Sequence, residues 1–134
     1  MEMIKFTIGL PPVSKKNSSQ IATNRKTGKP FVLPSKAYQQ YERACWPWLT
    51  LRGGGRFPTI ATPVNVQCLF YMPTRRKADL TNLLEAVDDI LVKYGILQDD
   101  NYTIVAGHDG SRVYYDKERP RTEITITSMQ EEQP

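Results

Sequence analysis

The chain has 134 residues, enough to bury one hydrophobic core, and its 40% apolar and 24% charged residues are ordinary for a globular domain. No apolar run is long enough to cross a bilayer, and the start, MEMIKFTIGLPP, lacks the basic head and long apolar middle of a secretory leader; a cytoplasmic protein with no membrane partner is expected. The net charge of +4 conceals an asymmetry, since residues 1–78 hold thirteen Lys/Arg against two acids (+11) and residues 79–134 hold five against twelve (−7).

A lopsided solvated face is the plain reading of that asymmetry. The functional reading is a basic half that holds a polyanion and an acidic half that works with its carboxylates. In chain order, MIKFTIGL alternates Ile4, Phe6 and Ile8 with Lys5, Thr7 and Gly9, the pattern of a half-buried strand that Pro11 and Pro12 end. The polar loop PPVSKKNSS follows. QIATNRKTGKPFVLPS reads as a hairpin with short strands around Ile21 and Phe31–Leu33, and its turn carries Arg25, Lys26 and Lys29. Ser35 can cap a helix over KAYQQYERACWPWLTL, where Tyr38, Tyr41, Cys45 and Leu49 keep helical spacing and Pro47 kinks or ends the regular part. RGGGRFPTIATP is expected to be a flexible linker without a domain boundary. VNVQCLFYM is a strong strand with Val64, Val66, Cys68 and Phe70 on one face, closed by Pro73.

From Leu80 the apolar positions Leu80, Leu83, Leu84, Val87, Leu91 and Tyr94 fall within an arc of about 100°, which makes an amphipathic helix that Gly95 stops. YTIVAGHDGSRVYYD gives one or two strands with a turn near HDGS, RTEITITS closes the sheet, and MQEEQP frays. The expected architecture is one α+β domain over residues 1–134, a mixed sheet with two main helices packed on it. Cys45 and Cys68 stand far apart and read as small buried hydrophobes rather than a disulfide. His108 is the one histidine, too little for a zinc site, and no nucleophile motif accompanies it; it reads as an ordinary strand or loop residue.

The acidic residues around the second helix are the most informative. A helix from about Thr81 to Tyr94 is about 20 Å long at 1.5 Å per residue. If ILQDD runs back along it at about 3.3 Å per residue, Asp99 and Asp100 return to the level of its first half, near Asp79, Glu85 and Asp88. With Leu80 at zero, Thr81, Glu85 and Asp88 lie at about 100°, 140° and 80° on one flank, while Asp89 at about 180° faces away. Converging carboxylates repel one another unless a cation neutralises them. Mg²⁺ fits such a place: it takes one or two carboxylates, keeps waters, accepts a phosphate oxygen and activates water for hydrolysis. Arg75, Arg76 and Lys77, just upstream, would attract a nucleic-acid backbone. The plain alternatives stay open. Asp79 or Asn82 caps the helix, with Glu85 completing a capping box from Asn82; Asp99–Asp100–Asn101 is a turn; Asp88 and Asp89 are a solvated face.

The stretch RRKADLTNLLEAVDDILVKYGILQDD resembles the central motif of the RusA family of crossover-junction endodeoxyribonucleases: a basic run, D-L-D-N-L, a lysine in the next turn, a helix and a G-x-x-x-D-D segment. IGLPPVSKKN and TEITIT extend the likeness, more weakly, over nearly the whole chain. The resemblance implies a small α+β homodimer of bacteria and their phages, active in DNA recombination and repair. It would resolve four-way (Holliday) junctions by paired, Mg²⁺-dependent nicking, with Mn²⁺ as a possible substitute. Asp79 matches the first motif aspartate and Asp100 the aspartate after the helix. Thr81 stands where the second aspartate belongs and Glu85 where the lysine belongs. Asp88, on the Thr81 flank, could supply the missing ligand. The expected catalytic set is therefore Asp79, Asp88 and Asp100, with Asp99 and Glu85 as further metal ligands. The expected DNA-binding set is Lys15, Lys16, Asn17, Arg25, Lys26, Arg75, Arg76 and Lys77. A junction-binding protein that keeps the fold without cutting is the alternative.

Overall fold

The structure, a computed structural model, describes residues 3–15, 20–33, 35–51 and 55–129. The elements are β1 (Ile4–Ile8), β2 (Gln20–Thr23), β3 (Pro30–Leu33), α1 (Lys36–Ala44), α2 (Trp46–Leu49), β4 (Val64–Met72), α3 (Leu80–Lys93), β5 (Val105–Gly107), β6 (Arg112–Tyr115) and β7 (Arg121–Ser128). The α+β architecture with a mixed sheet is the one the sequence leads to.

β4 is the centre. Its alternating Val64, Val66, Cys68 and Phe70 are buried, each at most 1% exposed. β7 pairs with it antiparallel from Val64↔Ser128 to Tyr71↔Arg121, and β1 pairs antiparallel with β7. The other edge of β4 is shared. β5 lies parallel to its start and β6 parallel to its end, so the two short strands occupy successive lengths of one edge. Parallel neighbours need a long crossover, and α3 supplies it. β2 and β3 form a separate two-stranded sheet, the expected hairpin.

The buried side chains of α1 and α3 join those of β1, β4 and β7 in one core. Ser35 caps α1 by accepting from the Tyr38 N–H at 3.0 Å, and Pro47 falls at the start of α2, where its missing N–H costs nothing. Burial of the α3 stripe runs through Leu83, Leu84, Val87 and Leu91, and Gly95 ends the helix at φ 73°. Cys45 and Cys68 are buried free thiols, and burial pushes Cys45 up to about 12, so both are inert hydrophobes.

The segment expected to be a flexible linker is different. Residues 52–54 lie outside the described residues, as do 130–134 at the tail. Beyond them Phe57 packs edge-on against Phe6 at 4.9 Å, and Ile60 is buried. Ile60 donates its N–H to the Ile96 carbonyl at 2.8 Å and accepts from the Gln98 N–H at 2.9 Å. Two apolar residues in an otherwise Pro- and Thr-rich stretch suffice to anchor it. That anchor also fixes the path of the chain leaving α3, because Ile96 and Leu97 are pinned between Ile60 and the helix end at 1% exposure each. Among the described residues no helix is long and apolar enough to cross a membrane.

Candidate active site

The N-terminus of α3 is built by Asp79. Its backbone is extended, and its Oδ1 accepts from the N–H of Thr81 at 3.0 Å, the N–H of Asn82 at 3.3 Å and the Thr81 hydroxyl at 2.6 Å. Asp79 is thus the cap, and Asn82 is not. Glu85 falls outside the capping-box position and points elsewhere, into a recess of about 180 Å³ lined by Thr81, Leu84, Glu85, Asp88, Asp100 and His108. The return of ILQDD therefore brings Asp100 to the first half of α3, on the flank that carries Thr81, Glu85 and Asp88. Asp99 does not line this recess; it accepts the Asp100 N–H at 2.6 Å, which lowers its own pKa. Partial burial, and then the neighbouring Asp99, raise that of Asp100.

Asp88 is not on a solvated face. It is 7% exposed, its Oδ2 lies 2.8 Å from Nε2 of His108, and its Oδ1 is buried without a hydrogen-bond partner among the described residues. Asp89 is also committed, in an ion pair with Lys15 at 3.0 Å. The hydrogen bond that Asp88 accepts from the ring raises the pKa of His108 against the opposing effect of burial.

His108 is the residue that the sequence reading missed. It reaches Asp88 because residues 108–111 leave the β4 edge between β5 and β6. The turn is tied down by β4 side chains. Asn65 Nδ2 donates to the Asp109 carbonyl at 3.1 Å and its Oδ1 accepts the Asp109 N–H at 2.8 Å, while Gln67 Nε2 donates to the Gly110 carbonyl at 3.2 Å. Ser111 Oγ takes the Cys68 N–H, at 3.0 Å, that the ladder leaves open. Gly110 sits at φ 84°, where a side chain is strained, and a Cβ there would stand 2.5 Å from Gln67 Nε2 and displace that amide from its bond. The available signal was chemical: an acid close to the core stripe of a helix needs a partner, and the chain holds one histidine.

The family description Endodeoxyribonuclease RusA matches residues 10–127. The chain belongs to the RusA endodeoxyribonuclease family. A relative named crossover junction endodeoxyribonuclease RusA, from Aquifex aeolicus (strain VF5), is 31% identical to it over 101 residues, 75% of each chain.

In this RusA-family chain Arg76 and Lys77 line a different recess from the acidic one. Asp79 lines a second recess of about 180 Å³ together with Ser14, Thr74, Arg76 and Lys77. The hydrogen bond from Thr81 to Asp79 links the two recesses. Arg75 lies over the Tyr115 ring at 4.2 Å, a cation–π contact that fixes the start of the basic run. Arg25 and Lys26 are exposed on the hairpin turn, and Lys16 and Asn17 lie outside the described residues. Among the described residues no three His, Cys, Asp or Glu side chains are grouped to hold a metal ion by themselves. The donors present are carboxylate oxygens, which suit a hard cation, and Mg²⁺ needs only one or two of them beside water and phosphate.

Proposed function

We propose that the chain is a Mg²⁺-dependent, structure-selective endodeoxyribonuclease that resolves four-way DNA junctions by paired nicking. It would act as a homodimer of one-domain subunits, in the cytoplasm where its DNA substrate lies. The observation that carries this reading is the return of Asp100 to the Thr81–Glu85–Asp88 flank of α3, beside a recess lined by Arg76 and Lys77. A chain of the RusA family with carboxylates and phosphate-seeking cations in adjoining recesses has the groups that phosphodiester hydrolysis needs.

Asp79 and Asp100 are the carboxylates that would hold the metal, Glu85 lines the recess beside Asp100, and Asp99 braces Asp100 by accepting its backbone N–H. Mn²⁺ binds such donors more tightly and should also serve. When bound, the metal polarises the phosphate and activates water. The protein's own groups do the rest. Arg75, Arg76 and Lys77 hold phosphates beside the site; Arg25, Lys26, Lys16 and Asn17 extend the DNA surface; Thr81 keeps the Asp79 carboxylate turned toward α3. On this reading Asp88, one oxygen on His108 and the other buried, braces the site rather than ligating. Two symmetric cuts require two such sites related by a two-fold axis, hence the dimer.

The test is a nicking assay on a synthetic four-way junction and its linear duplex arms. Symmetric paired cuts in the junction alone, only with Mg²⁺ or Mn²⁺, are expected. Junction binding without cleavage under any divalent metal would favour the second reading, a non-cutting junction-binding protein; Thr81 in place of a motif aspartate is the observation on its side.

A further inference from the structure

We propose that His108 belongs to the reaction centre, where it donates a hydrogen bond to a non-bridging oxygen of the scissile phosphate while Asp88 holds its ring in place. This deepens the nuclease reading and rests on it. The recess beside α3 has three carboxylates among its lining side chains, and among the described residues that line it His108 is the one that can carry a positive charge. A phosphodiester entering that recess meets repulsion from Glu85, Asp88 and Asp100. A donor aimed at the phosphate oxygens offsets it, and gains further as negative charge builds up there in the transition state.

The geometry fits that role better than a packing role. Asp88 occupies Nε2 of the imidazole at 2.8 Å. A carboxylate on one ring nitrogen favours the doubly protonated ring, which leaves the second N–H as a donor. The imidazole is partly exposed, 29% of its side chain, so a ligand can reach it, whereas Asp88 behind it is buried. As a mere packing pair the arrangement is poor, because the Asp88 Oδ1 is buried with no hydrogen-bond partner among the described residues. The turn also looks built for delivery. β5 and β6 follow the same β4 edge, and a continuous strand could join them. Instead residues 108–111 leave the ladder, tied by Asn65, Gln67 and Ser111, and present the imidazole to α3.

His108→Gln keeps an N–H near the position of Nε2 to serve Asp88 and removes the second donor and the charge. At saturating protein, its single-turnover nicking of a four-way junction should fall about a hundredfold, the loss seen when one oxyanion donor is removed, with junction affinity changed less than about threefold. A brace alone would lower the thermal midpoint and leave the rate of the folded protein unmoved. A second measurement needs neither cleavage nor metal. Tag-free protein has a single histidine, so its imidazole Cε1–H proton resonance identifies itself. That resonance should shift when the junction binds in EDTA. Nicking by His108→Gln within about threefold of wild type, or an unmoved resonance on protein shown by anisotropy to be saturated with junction, overturns the proposal. If wild type never nicks, the nuclease reading fails, and the resonance alone decides whether phosphate meets His108. If His108→Gln does not fold, the resonance again decides.

Discussion

Asp79 is asked to do two things, to cap α3 and to serve the reaction, and substitutions can separate them. Its Oδ1 accepts two backbone N–H groups and the Thr81 hydroxyl. Asp79→Ala removes all three acceptor contacts. N-cap losses run from about 0.5 to 2 kcal/mol. Asp79 is exposed, so water can replace the lost acceptor, which argues for the middle of that range, about 1 kcal/mol. For a chain of this size that is a fall of about 4 °C in thermal midpoint. Asp79→Asn keeps a side-chain oxygen at the same place and caps nearly as well. It forfeits only the favourable meeting of a negative charge with the helix N-terminus, a few tenths of a kcal/mol at an exposed site. Thermal unfolding followed by circular dichroism should therefore rank Asp79→Asn close to wild type and Asp79→Ala clearly below. Nicking should rank them differently, with both inactive, because both lack the carboxylate charge. Equal destabilisation by Asn and Ala would refute the capping geometry. Wild-type nicking by Asp79→Asn would remove Asp79 from the reaction.

Asp100→Asn should abolish nicking and keep or tighten junction binding, since it removes a charge that repels phosphate, whereas Asp99→Asn should cost less; anisotropy and nicking on one junction check both. Neutralising Arg76 or Lys77 should lower the slope of log affinity against log salt by about 1 each, and an unchanged slope would take that residue off the DNA surface. The His108 pKa is raised above its ordinary 6.5 by the Asp88 hydrogen bond, so the pair's contribution to stability is fully present below about pH 6.5 and is lost as pH rises through the folded value. Urea midpoints of wild type and His108→Gln should then differ more at about pH 6 than at about pH 9, and a gap constant with pH would contradict the pairing. Leu91→Ala, at a position with 0% exposure under the sheet, should cost about 2–5 kcal/mol in urea unfolding, and a loss under 1 kcal/mol would mean that the α3 stripe does not face the core as described.

Alternation and helical spacing carried most of the fold. β1, β4 and β7 were legible because each buries one face, so Phe6 and Ile8, or Ile124 and Ile126, recur at every second position. The α3 stripe was legible for the corresponding reason. What the sequence left conditional was the path after Gly95. That path depends on Ile60, which sits in a stretch dominated by Pro, Gly and Thr and pairs with Leu97 thirty-seven positions on. No local periodicity reports such a pairing. The site divides the same way. Glu85, Asp88 and Asp100 could be placed together from helix angles and chain reach. Asp88–His108 could not, since the turn that delivers His108 depends on Asn65 and Gln67 reaching from β4 to backbone groups more than forty positions away.

The two departures from the family pattern take on a different meaning once the side chains are in place. Read as letters, Thr81 loses a charge and Glu85 reverses one. In the fold, Thr81 donates its hydroxyl to Asp79 at 2.6 Å, where an aspartate would set a second negative oxygen beside the first. One carboxylate of the family pattern is given up, and repulsion at the helix N-terminus becomes a hydrogen bond. Glu85 puts an acid where the family pattern has a cation, and His108, a side chain that can take up a proton, lines the same recess from another element. On the proposal above, the cation has moved from helix to turn and gained Asp88 as its brace. This would account for the burial of an acid at position 88, on the flank beside the α3 stripe. It also fixes the decisive comparison. If the charge has been relocated rather than lost, Glu85→Lys should compensate for His108→Gln, recovering much of the nicking rate in the double variant while doing little in the wild-type background. A double variant as slow as His108→Gln alone would show that a lysine at 85 and the histidine at 108 do not serve the same phosphate.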